Sequence, residues 1–134
     1  MEFSGKTAIV TGAAAGIGRA TVMQLAKDGA NVVAGDLNAE KLKTLETELA
    51  SDRLLTLTCD VSCEKNVNAA VAAAREKFGS IHILVNNAGI WRDVAGFSEA
   101  STDLWRKYLD VNLMGTVHFT KAVIDEMTDN GYGR

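Results

Sequence analysis

The sequence predicts an α/β fold, a doubly wound parallel sheet with helices on both faces. Three observations carry that expectation. Short apolar runs of strand length alternate with helix-length amphipathic segments, the pattern of repeated βαβ units. A glycine-rich turn joins the first apolar run to the first helix. The second run ends on an acid, Asp36, 18 residues past Gly18.

The elements follow in order. Thr7 to Thr11 is the first strand. The turn Thr11-Gly12-Ala13-Ala14-Ala15-Gly16-Ile17-Gly18 follows, and a helix runs from Gly16 to Asp28 with Gly29 as its stop. Asn31 to Gly35 is the second strand. Asn38 to Ala50 is a helix with Leu42, Leu45 and Leu49 on one face and Lys41, Lys43, Glu46 and Glu48 mostly elsewhere. Leu54 to Thr58 is the third strand. Ser62 is expected to cap a helix to about Phe78, turning Val67, Ala70, Val71, Ala74 and Phe78 inward and ending at Gly79. His82 to Val85 is the fourth strand, followed by a loop from Gly89 to Phe97. One long helix is expected over about Thr102 to Asp129, with a break near Gly115. Right-handed crossovers place helices on both faces, and the expected strand order is 3-2-1-4, the first part of a doubly wound sheet whose later strands are absent from these residues.

Composition narrows the functional classes. A chain of 134 residues with 47% hydrophobic content supports one domain with a real core. A net charge of −3 gives no electrostatic footprint for nucleic acid. No apolar run approaches the ~20 residues of a membrane span. Met1 to Lys6 lacks the charged and apolar regions of a signal peptide, so a cytoplasmic location is the default. Cys59 and Cys63 offer two ligands with no neighbouring His or Cys to complete a tetrahedral site. They read as free thiols, and no metal is expected.

A glycine-rich turn between strand and helix is a place to hold a phosphate. Gly12 permits the tight turn, Gly16 removes a Cβ that would block a pyrophosphate, and Gly18 lets the helix start pack on the strand. Asp36 can accept hydrogen bonds from both hydroxyls of an adenosine ribose and would repel a 2′-phosphate. Its other reading is an Asp that caps the following helix. The loop at the right distance favours the ribose role.

These residues, with the pair Asp60-Val61, the block Asn86-Asn87-Ala88-Gly89 and Asn112 in the long helix, resemble the N-terminal half of a classical short-chain dehydrogenase/reductase, over essentially the whole chain. The resemblance implies a Rossmann-type unit, residues 1–134, that forms the NAD-binding half of an oxidoreductase of secondary alcohols and ketones. It implies that Gly12, Gly16, Ile17 and Gly18 form the pyrophosphate-side loop and that Asp36 selects NAD over NADP. No Arg or Lys lies among Ala13, Ala14 and Ala15, and Leu37 beside Asp36 is not basic, so a 2′-phosphate finds no cation there. Asp60 and Val61 resemble the adenine contacts. Asn87, Ala88 and Gly89 resemble the turn that ties adjacent strands and lets the cofactor pass. Asn112 resembles the catalytic Asn, whose main-chain carbonyl holds a water in a proton relay.

The same resemblance places the catalytic Ser, the Tyr-x-x-x-Lys pair and most of the substrate pocket after Arg134. Tyr108 and Tyr132 have no Lys four residues on. The chain alone is therefore expected to bind cofactor without turnover, and the fourth strand to present an exposed apolar edge. A homo-oligomer is implied by the family. A non-catalytic nucleotide-binding or assembly module is the other reading. Trp91, Arg92 and Phe97 either line a substrate entrance or pack on the surface. His118 is expected to be a packed or interface residue rather than a base.

Overall fold

The computed structural model describes residues 2–91 and 96–134. Arg92 lies outside the described residues. Four strands, β1 (Thr7–Thr11), β2 (Asn31–Asp36), β3 (Leu54–Thr58) and β4 (Ile83–Val85), form one parallel sheet in the order β3-β2-β1-β4. The helices are α1 (Gly16–Lys27), α2 (Ala39–Leu49), α3 (Glu64–Phe78), α4 (Thr102–Tyr108) and α5 (Gly115–Asp129). The register pairs Ile9 with both Val33 and Leu84, so β1 is the central strand.

Every residue of β1 is buried, because helices cover both faces of the sheet. Alternation splits the strand between two cores. Ala8 and Val10 face α1 and α2, packing with Val22, Leu25, Leu42 and Leu45. Ile9 faces α3 and α5, packing with Val67, Val71, Ala74, Phe119 and Val123. The leucine stripe of α2 is as the sequence predicts, with Leu42 and Leu45 buried and Leu49 packed at the margin. No helix among the described residues is long and apolar enough to cross a membrane.

Three expectations need correction, and the long helix carries one refinement. Ser62 does not cap α3. Its hydroxyl turns back and donates to Asp60 Oδ1 at 2.6 Å, and Cys63 occupies the cap position with no side-chain bond to a helix amide. The carboxylate two residues upstream is a strong, local acceptor, and it draws the hydroxyl away from the helix amides. The long helix runs unbroken from Thr102 to Asp129 as expected, with a π-helical turn over Leu109–Met114 between α4 and α5. In place of a break near Gly115, the π turn widens the helix where Asn112 must reach outward. His82 lies just ahead of β4, bound to β1 twice: its N–H donates to the Thr7 carbonyl and its Nδ1 accepts the Thr7 N–H, at 2.9 and 3.1 Å. The outer edge of β4 is not bare throughout. Arg134 N–H donates to the His82 carbonyl at 3.1 Å and Leu84 N–H donates to the Arg134 carbonyl at 2.9 Å, which is parallel pairing.

Candidate functional site

The carboxyl ends of β1, β2 and β4 come side by side, and the residues singled out in the sequence cluster there. Open α/β sheets bind ligands at this edge.

The glycine loop is held by backbone geometry. Gly12 and Gly16 have φ of +64° and +54°, the left-handed region in which a side chain is strained. A Cβ at Gly12 would lie 2.9 Å from Ala88 Cα, so the loop after β4 sits directly on the turn after β1. A Cβ at Gly18 would lie 2.2 Å from the Gly12 carbonyl oxygen, a close approach of helix to strand that only glycine permits. Around the Cβ position of Gly16 no atom lies within 4 Å, so the mouth of the loop is open to an approaching group. Ile17 and Leu37, flanking this mouth, are 78% and 65% exposed. Apolar side chains left that bare beside an open cradle are available to cover a ligand.

Asp36 closes the loop from the side. Its Oδ2 accepts the Ala14 N–H at 3.0 Å and its Oδ1 accepts the Asn38 N–H at 2.9 Å. It serves the entry to α2, where Asn38 Oδ1 is the actual cap on Lys41 N–H at 2.9 Å, and it also reaches into the glycine loop. Each carboxylate oxygen retains a further lone pair for a hydroxyl donor. Arg19, the first basic residue after the loop, is ion-paired with Glu48 on α2.

Asn87 ties the strands as the motif implies. Its Nδ2 donates to the Thr11 and Gly12 carbonyls at 2.9 and 3.1 Å. Thr11, which the sequence reading used only as part of the glycine motif, proves equally important. Its hydroxyl oxygen accepts the Asn87 and Ala88 N–H groups at 3.1 and 3.0 Å and donates to the Val85 carbonyl at 3.4 Å. A threonine ending a buried strand next to an asparagine turn is the signal that could have found it.

Asp60 and Val61 follow β3. Asp60 Oδ1 is engaged by both the N–H and the hydroxyl of Ser62, while Oδ2 has no partner among the described residues. Val61 packs under α5, where a Cβ at Gly115 would come within 2.6 Å of Val61 Cγ2. Cys59, just before this loop, is buried, and burial first, then the Asp60 charge, pushes its thiol up to about 11. It is a core residue rather than a reactive thiol.

Asn112 grips the loop after β4. Its Oδ1 accepts the Ile90 N–H at 2.8 Å and its Nδ2 donates to the Ile90 carbonyl at 3.1 Å. A side chain that satisfies both backbone groups of one residue accounts for an Asn inside a helical segment. Trp91 and Phe97 are both over four-fifths exposed, and the Phe97 ring lies tilted against Trp105 at 5.3 Å between centroids.

A parallel sheet with a strained glycine loop, an anchored acid on the neighbouring strand and an Asn-Ala-Gly turn beside it defines a nucleotide-binding α/β protein. Residues 6–134 match the family model for short chain dehydrogenase, and the chain belongs to that family. Among curated proteins it is 36% identical to 3beta-hydroxysteroid dehydrogenase 2 of Eggerthella lenta, covering 97% of this chain and 51% of that protein. It is 43% identical to D-threitol dehydrogenase of Mycolicibacterium smegmatis, covering 98% and 51%. Among solved structures it superposes on 3-ketoacyl-(acyl-carrier-protein) reductase from Brucella melitensis complexed with NADH, with a TM-score of 0.92, 35% identity, and 96% and 53% coverage. An NAD+-bound xylitol dehydrogenase gives a TM-score of 0.92 at 34% identity, covering 100% of this chain and 52% of that one. The chain spans about half the length of the relatives it matches.

Proposed function

We propose that these residues form the cofactor-holding part of an NAD-dependent oxidoreductase that interconverts a secondary alcohol and a ketone. The observation that carries the NAD preference is Asp36. Two backbone amides fix its carboxylate at the end of β2, Leu37 beside it is apolar, and Arg19 is already paired with Glu48. A 2′-phosphate would meet a fixed negative charge, with apolar Leu37 beside it and Arg19 already engaged in an ion pair. The relatives named above act, by their names, on a hydroxysteroid and a sugar alcohol, and two of the solved neighbours hold NADH or NAD+.

The residues divide the work. Gly12, Gly16, Ile17 and Gly18 form the cradle for the pyrophosphate, with the amides at the start of α1 facing it. Asp36 and Leu37 flank the adenosine ribose, Asp60 and Val61 the adenine, and Asn87, Ala88 and Gly89 the path across the sheet edge. Bound NAD supplies a hydride acceptor for the carbinol carbon. Asn112 fixes the Ile90 segment and offers its main-chain carbonyl to a water of the proton relay. The substrate would enter past Trp91 and Phe97.

Binding of NAD by the purified protein, followed by calorimetry, tests the reading. Replacement Asp36→Ala is expected to weaken NAD binding by about tenfold, the loss of charge-assisted hydrogen bonds, and to relax discrimination against NADP. Unchanged relative affinities for the two dinucleotides in a folded variant would remove Asp36 from the site.

A further inference from the structure

We infer that His118 is a positioning residue for the adenine end of the site, holding the Asp60–Val61–Ser62 loop through the Val61 carbonyl. The inference rests on the assignment of that loop to adenine made above.

His118 Nδ1 lies 2.9 Å from the Val61 oxygen, across 57 residues of sequence. A carbonyl can only accept, so Nδ1 carries the proton. The bond does not stand alone. One turn earlier on α5, Gly115 lets the Val61 side chain come within van der Waals reach of the helix backbone. One turn later, Lys121 Nζ pairs with Glu64 Oε1 at 2.9 Å, reaching the first turn of α3. Residues 115, 118 and 121 recur at the i+3 spacing of neighbouring side chains on a helix. Together they lay α5 along the loop from Val61 to Glu64.

Within this group His118 alone bonds the loop backbone next to Asp60. On the other side, Ser62 engages Asp60 Oδ1 with two bonds and leaves Oδ2 without a partner among the described residues. The direction of Oδ2 therefore depends on the Asp60–Ser62 backbone, and His118 fixes the middle of that segment. Packing at this position does not require a histidine, because the side chain is only half-buried. The donor is what the position uses. Through the π turn, the same helical stretch carries Asn112, which grips Ile90. One rigid element thus sets both ends of the cofactor path.

The test compares NAD with nicotinamide hypoxanthine dinucleotide, in which an acceptor oxygen replaces the exocyclic amine that Asp60 would accept from. Calorimetry on the wild-type protein should show about a tenfold preference for NAD, the worth of one charge-assisted hydrogen bond. His118→Leu should bring that ratio toward equality by weakening NAD binding selectively. His118→Asn, whose amide can place a donor near Nδ1, should restore it, and the isosteric His118→Asp, which offers an acceptor to a carbonyl, should not. A Leu variant that keeps the wild-type ratio overturns the inference, as does equal weakening of both dinucleotides. Should the Leu variant fail to fold, the Asn and Asp pair, alike in shape, decides: equal ratios overturn it. If the wild type binds both dinucleotides equally or neither, the adenine assignment itself fails, and the role of His118 fails with it.

Discussion

Thr7 and Thr11 offer a controlled comparison, because one substitution at two places on one strand should have opposite signs. Both residues point to the same face of β1, and both are almost wholly buried, at 1% and 2% exposure. Their hydroxyls differ. Thr11 Oγ1 accepts two N–H groups of the Asn87-Ala88 turn, whereas Thr7 Oγ1 has no partner among the described residues. Valine keeps the volume, the branching and the strand preference of threonine. At Thr11 it leaves two donors without an acceptor, at ~1–3 kcal/mol each, against ~1 kcal/mol recovered by burying a methyl in place of a hydroxyl. The net is a loss of about 1–5 kcal/mol. At Thr7 nothing is broken and the desolvated hydroxyl is removed, a gain of about 1 kcal/mol. In a domain of this size each kcal/mol moves Tm by ~3–5 °C. Thr11→Val should therefore lower Tm by ~3–25 °C and Thr7→Val should raise it by ~3–5 °C. Thermal and urea unfolding by circular dichroism read both, with unchanged urea slopes confirming a stability effect. If Thr7→Val destabilises as much as Thr11→Val, hydroxyl partnership does not decide the sign and the reasoning is wrong.

Other outcomes follow from the glycines and the titratable groups. Gly18→Ala drives a Cβ into the Gly12 carbonyl and should cost about 1–3 kcal/mol by overpacking, whereas Gly16→Ala meets only open space and bears the left-handed penalty of ~1–2 kcal/mol. Equal NAD affinity in the folded Gly18 variant would contradict the close helix–strand approach at the loop. The Cys59 thiol, raised from 9.0 to about 11, contributes stability that is full below pH 9 and lost as pH rises through 11. Wild type should lose stability over that window and Cys59→Ala should lose less, as read by urea midpoints at each pH. His82 is held below its ordinary value first by burial and then by Lys6, and its Nδ1 must stay unprotonated to accept from Thr7. Its contribution is present above pH 6.5 and disappears as pH falls through the depressed value. His82→Gln should show a shallower fall in Tm on acidification than wild type, and parallel curves would refute the acceptor role.

The sheet was legible because its signals are local and periodic. Apolar runs of β1, β2 and β3 stand between amphipathic helices, and Gly12, Gly16 and Asp36 punctuate them at fixed spacing. The order β3-β2-β1-β4 is the one expected for the first part of a doubly wound sheet. What escaped was long-range choice among local partners. Ser62 offers a hydroxyl to either a helix amide or the Asp60 carboxylate, and its sequence favours the first while the structure takes the second. His118 lies 57 residues from Val61, with no periodicity to link them. Asn112 in the π turn pairs with Ile90, 22 residues away, a partner that no local pattern in residues 109–114 announces.

The candidate site is built from bonds that also hold the fold together. Asp36 joins β2 to the glycine loop, Asn87 and Thr11 join β4 to β1, and Asn112 joins a helix to the loop after β4. None of these side chains is a free functional group waiting on a scaffold. Each spends one part on a backbone group and keeps another part unbonded among the described residues, such as a lone pair on Asp36 and Oδ2 on Asp60. Such groups lose little freedom when a dinucleotide arrives, so most of the ordering cost of binding is met when the chain folds. The consequence is that substitutions here move stability and affinity together, and only those that change a ratio of affinities, such as NAD to NADP at Asp36, separate recognition from support.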